Sequence, residues 1–284
     1  MLVQIFFGLH YLAAKLVLTE IPPRLWALIR VSCAALILFA AARVAGKRLP
    51  TSPRVLGQLA FFSLFGVVIN QACFVEGLYR TTPVHSSIIM TTIPAATLLF
   101  AVLLGRERLD GRKPASLIVA FAGVLLVIGP TAADVTDRRL LGDGLTLINA
   151  LSYALFLVIS RRLLSRIDPL GATVVILGFG SLGMLLPGLT ALPGFDPSQV
   201  TPRTWLLGAF IVLFPTAAAY FLNYWALARL ESSVVAFFIY LQPLIATTLS
   251  VLFLGERLTP SIVAGAALIF CSVYLALRRR PGRR

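Results

Sequence analysis

The sequence predicts an all-α integral membrane protein, and its composition and its apolar blocks indicate this class. Apolar residues make up 58% of the chain, and charged residues make up only 13%, whereas about a quarter of a soluble domain is charged. The apolar residues form blocks of about 20, long enough to cross a hydrocarbon core about 30 Å thick as a helix. Backbone groups in lipid must be hydrogen-bonded internally, so blocks of this length favour helices over the alternating ten-residue strands of a β-barrel.

Short polar or basic stretches separate these apolar blocks. The first block begins at Met1 without a basic segment and is followed by others, so we expect a membrane helix there rather than a cleavable signal peptide. A short cytoplasmic lead before Met1 would also fit this arrangement. We predict ten transmembrane helices, at residues 2–19, 25–45, 56–78, 84–104, 115–129, 143–163, 170–191, 204–226, 233–254 and 260–277.

The distribution of basic residues predicts the orientation in the membrane. The net charge is +14, and most Lys and Arg residues lie in loops after even-numbered helices and in the tail. Basic loops stay in the cytoplasm, so we expect both termini inside and the loops 134–143 and 193–202 outside, in a multi-pass protein of the bacterial inner membrane. Confinement of the charge to loops argues against nucleic acid as a partner. The basic segments are 43–54, 106–113 and 278–284.

An internal repeat relates the two halves of the chain. The segment Gly77–Leu109 aligns with Ala226–Leu258 at a shift of 149 residues, which matches Pro94 with Pro243. The same shift matches Arg80 with Arg229, and Glu107, Arg108 and Leu109 with Glu256, Arg257 and Leu258.

This repeat predicts the topology of the whole chain. More weakly, the sequence around Tyr11 resembles that around Tyr153. With five helices in each unit, the second copy must enter the membrane from the opposite side. We therefore predict two inverted five-helix repeats, residues 1–130 and 131–284, with a substrate bound between them near the membrane midplane.

Several motifs give the chain a likeness to a known family. They are Pro94 followed by Gly105-Arg106-Glu107-Arg108-Leu109, Pro243 followed by Gly255-Glu256-Arg257-Leu258, Lys15, the Ile21-Pro22-Pro23 turn leading to Arg30, and Gly142-Asp143. With these motifs, nearly the whole chain resembles the EamA-type ten-helix branch of the drug/metabolite transporter superfamily. The first copy of the Gly-Glu-Arg-Leu motif departs from the second by one extra residue, Arg106. The resemblance implies a secondary transporter that moves small metabolites such as amino acids or drug-like compounds, often outward. It does not name the cargo.

Polar side chains inside apolar spans are costly and usually face a cavity or a partner helix. Gln4, Gly8, Tyr11 and Lys15 share one face of the first helix, which suits a cavity wall. Helix packing, with Lys15 extending to the membrane surface, explains the same pattern. We predict that the substrate, a small molecule, contacts Tyr11, Lys15, Asn70, Glu76, Thr91, Ser152, Tyr153, Trp225, Tyr240 and Gln242, and that the spans 115–129 and 260–277 lie outside the site.

Lys15 and Glu76 lie at matching depths in the outer third of their predicted helices. An unpaired charge inside the membrane costs free energy, so we predict that the two side chains pair, with Arg30 as the alternative partner of Glu76. Such a pair would be a gate, a site for a substrate carboxylate or a structural ion pair, and the sequence does not decide among these.

Pro94 and Pro243 lie in the middle of their spans at equivalent positions of the repeat. A proline removes a helix hydrogen bond and pushes out a carbonyl group. We predict a bend or local unwinding at each, next to the cavity, and we expect both sites to act as hinges.

Other classes of function have weaker support. Residues 178–183 spell G-x-G-x-x-G inside an apolar span, where close helix packing explains the glycines better than a nucleotide site. The sequence contains no P-loop, and its two histidines, His10 and His85, come without the carboxylate clusters of a metal site. Cys33, Cys73 and Cys271 lie inside apolar blocks without metal or disulfide spacing. We therefore expect no cofactor and no catalytic residue.

Two rivals to a transporter remain: a membrane scaffold or sensor, and an intramembrane enzyme, which would need a nucleophile and a base that we do not find. Glu76 is the only carboxylate well inside a predicted span, so exchange, facilitated diffusion and proton antiport all stay open. The sequence also leaves a homodimer open.

Overall fold

The computed structural model describes residues 1–106, 118–119, 122–123, 125–126 and 137–277. These residues form helices and no strands. The longer helices are α1 (Leu2–Val17), α2 (Pro23–Val44), α3 (Pro53–Arg80), α4 (Pro83–Leu103), α5 (Asp137–Leu164), α6 (Pro169–Leu189), α7 (Pro202–Leu227), α8 (Ser232–Leu254) and α9 (Pro260–Leu277).

These helices cover the predicted spans closely, with one clear exception. We expected residues 134–143 to form a loop, but α5 already begins at Asp137, and Asp143 is fully buried within it. Asp143 can be buried inside this helix because a buried histidine and a threonine satisfy its carboxylate, as described below. The predicted span 115–129 and the motif Glu107-Arg108-Leu109 lie largely outside the described residues.

The protein is a multi-pass membrane protein built from helices. Seven of the described helices are long and apolar enough to cross a bilayer, and α1 and the first part of α9 are shorter apolar helices. Large apolar side chains project outward, with Leu186 exposed by 74%, Phe253 by 70% and Leu36 by 68%. A water-soluble surface rarely carries so much contiguous apolar area, so these side chains face lipid.

Proline residues and short polar caps set where the helices begin. Pro23, Pro53, Pro83, Pro169 and Pro202 all stand in the first turn of their helices, where the missing N–H removes no helix hydrogen bond. The side chains of the residues just before three of these helices accept hydrogen bonds from free amides of the first turn. These caps are Thr82, Asp168 and Thr201.

The two helices whose mid-span prolines occupy equivalent positions of the repeat are both interrupted, as the sequence predicts. In α4 the helix stops at Met90 and resumes at Ile93, and the amides of Thr91 and Thr92 bond to carbonyls three residues back. In α8 a 3-10 turn, Phe238–Tyr240, separates two α-helical segments. Pro94 and Pro243 begin the segments that follow, so the local unwinding is confirmed.

Two further irregularities lie in α3 and α7. Residues Leu64–Ile69 and Val212–Ala218 form π-helical turns, in which backbone hydrogen bonds reach back five residues. Such turns rotate the residues that follow relative to a regular helix, and they occur often at functional sites. We did not predict these turns from the sequence.

Close packing between helices encloses the centre of the molecule. The helix α2 packs along α6, α3 along α5, and α1 against both α7 and α8, while α4 contacts α5 and α8. Gly180 and Gly183 of α6 lie directly against Val67 and Val68 of α3, where a β-carbon would clash. The last two glycines of the G-x-G-x-x-G sequence therefore serve close helix packing, as expected, whereas Gly178 has open space beside it.

Candidate functional site

A cavity lies at the centre of the helices, with an empty volume of about 580 Å³ that includes its open side. Helices α1, α2, α3, α4, α5, α7 and α8 all contribute to its wall. The lining residues are Gln4, Phe7, His10, Tyr11, Arg30, Asn70, Gln71, Phe74, Met90, Ile93, Asn149, Tyr153, Tyr220, Asn223, Ile239 and Gln242.

A chain of polar side chains joins α1 to α8 on one side of the cavity. The Tyr11 hydroxyl donates to Oε1 of Gln242 at 3.1 Å, and Nε2 of Gln242 donates to Oε1 of Gln4 at 2.6 Å. Each of these three residues is buried. The link fixes the first turn after the interruption of α8 against α1.

A second polar network joins α3, α5 and α7 on the opposite side. The amide nitrogen of Gln71 donates to Oδ1 of Asn70 at 2.7 Å and also to the hydroxyl of Tyr220. The amide nitrogen of Asn149 donates to the backbone carbonyl of Asn70. Two buried acceptors of this network, Oε1 of Gln71 and Oδ1 of Asn149, have no hydrogen-bond partner. Both residues line the cavity.

Arg30 supplies the only full charge among the described residues that line the cavity. Its guanidinium Nη1 lies 2.9 Å from Nε2 of His10, and the group lies 5.9 Å from the centre of the Phe74 ring. The His10 ring stacks on the same phenyl ring at 4.9 Å. Arg30 is 1% exposed, so the surrounding helices hold its charge in place beside the cavity.

Four of the ten predicted substrate-contacting residues line this cavity: Tyr11, Asn70, Tyr153 and Gln242. Ser152 instead donates to the carbonyl of Phe65 at 2.7 Å and joins two helices. Trp225 is 45% exposed and lies under the guanidinium of Arg229, 4.1 Å away.

Thr91 and Tyr240 lie beside the cavity rather than in its wall. The hydroxyl of Tyr240 donates to the backbone carbonyl of Thr91 at 3.2 Å, so the interruptions of α4 and α8 contact each other. The Thr91 hydroxyl donates to the carbonyl of Ile88 within its own helix. These two residues connect the interrupted helices.

The predicted pair of Lys15 with Glu76 is wrong. The Lys15 ammonium donates to the carbonyls of Leu78 at 2.8 Å and Thr81 at 2.6 Å, and more weakly to that of Tyr79 at 3.2 Å. These carbonyls end α3 and have no amide partner further along the helix. A cation at a helix C-terminus is also favoured by the helix dipole, which explains why Lys15 is satisfied without a carboxylate.

Arg30 as the alternative partner of Glu76 is also wrong. Glu76 accepts from Nε of Arg24 at 2.8 Å and pairs with Arg80 one helical turn along α3. Both arginines lie near the ends of their helices, where an ion pair keeps contact with water. Arg30 lies deeper and points into the cavity.

A cluster of ionisable side chains surrounds the ends of α1, α3 and α8. Nδ1 of His85 lies 3.2 Å from Oδ2 of Asp143, whose other oxygen accepts from Thr81. The Val84 amide donates to Glu256 at 3.4 Å, and burial raises the pKa of this glutamate.

Among the described residues no group of three or more His, Cys, Asp or Glu side chains is arranged to bind a metal.

His10 and Arg30 line the cavity but are not among the residues predicted to contact the substrate. Arg30 has a visible signal, because it lies inside the apolar span 25–45, which contains no carboxylate and whose other arginine, Arg43, stands near its end. His10 has a weaker signal, since it is adjacent to Tyr11 on the polar side of α1. The lining positions Phe7, Phe74 and Ile239 resemble ordinary core residues in the sequence.

A multi-pass helical membrane protein with a polar cavity enclosed by seven helices belongs to the architectural class of transporters and channels. Within this class, the chain belongs to the EamA-like transporter family, which it matches twice, over residues 1–129 and 140–278. This confirms the resemblance noted in the sequence.

Individual relatives are similar over almost the whole chain. An uncharacterized transporter of Archaeoglobus fulgidus is 26% identical over 279 residues, which cover 97% of this chain and 96% of the relative. The uncharacterized transporter YetK of Bacillus subtilis is 24% identical over 96% of this chain and 84% of its own length. One solved crystal structure has the same fold, with a TM-score of 0.68 and 19% identity over 97% of this chain and 95% of that one.

Proposed function

We propose that this protein is a secondary transporter that exports small polar or amphipathic metabolites across the bacterial inner membrane. In this proposal ten helices form two inverted five-helix halves, residues 1–130 and 131–284, with both termini in the cytoplasm. The observation that carries it is the central cavity, which is lined by buried amides, phenols and a guanidinium inside an otherwise apolar helical protein. Polar groups at this depth are costly and typically mark the pathway of a solute.

Contacts between equivalent positions of the repeat support the two-halves arrangement. Gln71 bonds to Tyr220 and Tyr240 bonds to Thr91, and the partners in each pair are 149 positions apart. A residue that contacts its own equivalent must lie next to the axis that relates the two copies. Both contacts adjoin the cavity, so the axis of the proposed repeat passes close to the binding site.

The lining of the cavity also supports the repeat, because residues at equivalent positions, again 149 apart, line it in pairs. The two matches of the chain to the family support the same division. These pairs are Gln71 with Tyr220, Phe74 with Asn223, Met90 with Ile239, and Ile93 with Gln242.

The interrupted helices offer a mechanism for alternating access. At each interruption, the backbone hydrogen bonds of α4 and α8 are already rearranged, so the two segments of a helix can change their angle without breaking a regular helix. Because Tyr240 links the two interruptions, movement at one is transmitted to the other. We propose that the segments rock about Thr91–Thr92 and Phe238–Tyr240, opening the cavity first to one side and then to the other.

Transport by the purified protein in proteoliposomes tests the proposal. A panel of labelled amino acids, organic acids and neutral metabolites is loaded inside or outside, and movement in each direction is followed. We expect at least one class to cross, and we expect Gln242→Leu to reduce that transport severalfold by breaking the link between Tyr11 and Gln4. Gln58→Leu, at an exposed position of α3, is the matched control and should transport like the wild type. Absence of transport in the wild type, or equal rates in all three proteins, would contradict the proposal.

A further inference from the structure

The charge of Arg30 is not balanced by any carboxylate that the structure describes. The described ion pairs involve Arg24, Arg80, Lys47 and His85, and Nε of Arg30 has no hydrogen-bond partner at all. A charged side chain inside a membrane protein normally pairs with an opposite charge or with backbone carbonyls. Arg30 does neither, and it borders the cavity.

The contact with His10 determines what the guanidinium offers. A guanidinium has donors only, so Nε2 of His10 must accept the hydrogen bond at 2.9 Å. His10 is therefore neutral and carries its hydrogen on Nδ1. This neutral neighbour orients Arg30 without cancelling its charge, and the stacking of His10 on Phe74 holds both groups. The remaining N–H groups of the guanidinium stay free for a ligand.

Positive charge and hydrogen-bond acceptors therefore lie at different positions of the cavity wall. Its wall is largely repeated between the halves, but Arg30 and His10 both come from the first half, on α1 and α2. The unpartnered acceptors, Oε1 of Gln71 and Oδ1 of Asn149, belong to a different network, on α3 and α5. A ligand thus meets a cation at one position and hydrogen-bond acceptors at another.

We propose that Arg30 binds the carboxylate of the transported solute, which makes carboxylate-bearing organic metabolites the substrate class. A planar carboxylate fits the parallel N–H groups of a guanidinium with two hydrogen bonds. The rings of Phe7, Phe74 and Tyr153 receive the apolar body of the solute, and an N–H group on it reaches Gln71 or Asn149. This assignment rests on the proposed transport function and names its substrate.

Binding of matched probes to the detergent-purified protein tests this assignment by calorimetry. Three pairs of equal shape are compared: acetate with acetamide, hexanoate with hexanamide, and 3-phenylpropanoate with 3-phenylpropanamide. We expect at least one carboxylate to bind about tenfold or more tightly than its amide, since hydrogen bonds to charged groups are the strong ones. Arg30→Met should abolish this preference and Arg30→Lys should keep part of it, whereas Arg229→Gln, which removes an exposed cation, should leave it intact.

The outcomes separate this assignment from the proposed function. A wild-type protein that prefers none of the carboxylates overturns the assignment, as does an Arg30→Met protein that folds and keeps the preference. If Arg30→Met does not fold, wild-type protein is treated with the arginine reagent phenylglyoxal, with and without the bound carboxylate. Loss of the preference after treatment, with protection when the carboxylate is bound, supports the assignment. Unchanged preference overturns it. Transport of the same probes in proteoliposomes is measured separately. Transport of neutral solutes only would refute the assignment of Arg30 but not the proposed transport function. Preferential binding of a carboxylate without any transport would refute the transport function but not the assignment.

Discussion

At the residue scale, Lys15 and Arg30 are two cations in apolar helices that are stabilised in different ways. Lys15 donates to three carbonyls at the end of α3, so the protein itself satisfies its ammonium group. Arg30 contacts a neutral histidine and a phenyl ring and keeps free donors beside the cavity. We infer that Lys15 serves stability and Arg30 serves binding, although both look alike in the sequence.

This difference leads to a prediction for Lys15 and Glu76. Lys15→Met leaves partly buried carbonyls without this donor and should lower the free energy of unfolding by about 1–3 kcal/mol. Glu76→Gln removes partly exposed ion pairs and should cost less than about 1 kcal/mol. Thermal unfolding in detergent compares the two, with Lys15→Arg as the variant that keeps the charge. If Lys15→Met and Glu76→Gln lower the free energy of unfolding equally, and the double variant is no less stable than either single variant, the two charges pair after all.

At the element scale, the interruptions of α4 and α8 determine the shape of the cavity wall. Met90 and Ile93 flank one interruption and line the cavity, as do Ile239 and Gln242 at the other. An uninterrupted helix would rotate these side chains to other directions. The prolines that end each interruption are therefore as important to the site as the residues that line it.

We predict that Pro94→Ala and Pro243→Ala slow transport severalfold while ligand affinity changes little. Alanine restores the missing N–H and favours a continuous helix, which opposes the change of angle that access requires. The comparison is between transport rate and binding affinity for each variant. Pro187→Ala, in α6 and away from the cavity, is the matched control. Normal transport rates in both proline variants would show that the interruptions are static.

The helices could be predicted from the sequence more fully than the contacts between them. Block length, initial prolines such as Pro83, and mid-span prolines such as Pro94 are local features, so they indicate spans and interruptions directly. Whether Lys15 meets Glu76 or the end of α3 depends on the rotation of each helix about its axis. The π-helical turns in α3 and α7 change that rotation just before Asn70 and Tyr220. The turn in α7 contains Pro215, but the turn in α3 contains no proline, so the polar networks were only partly predictable.

At the scale of the whole molecule, the central cavity lies between the two proposed halves. The contacts of Gln71 with Tyr220 and of Tyr240 with Thr91 place the proposed axis beside the cavity. We propose that motion about such an axis exchanges the conformations of the halves, so that a cavity open to one side becomes open to the other. In the same proposal, Arg30 and His10, which both come from the first half, orient the solute without disturbing this exchange.

Thiol accessibility of the cavity tests this central claim most directly. Asn223, which lines the cavity, is changed to cysteine in a protein whose Cys33, Cys73 and Cys271 are replaced by alanine. A membrane-impermeant thiol reagent is then added to either face of oriented vesicles, with Thr51→Cys, in the exposed loop between α2 and α3, as the control. We predict labelling of position 223 from both faces and slower labelling from each when a transported solute is present, with no such protection at position 51. Labelling of position 223 from one face only, or unaffected by any transported solute, would contradict alternating access through this cavity.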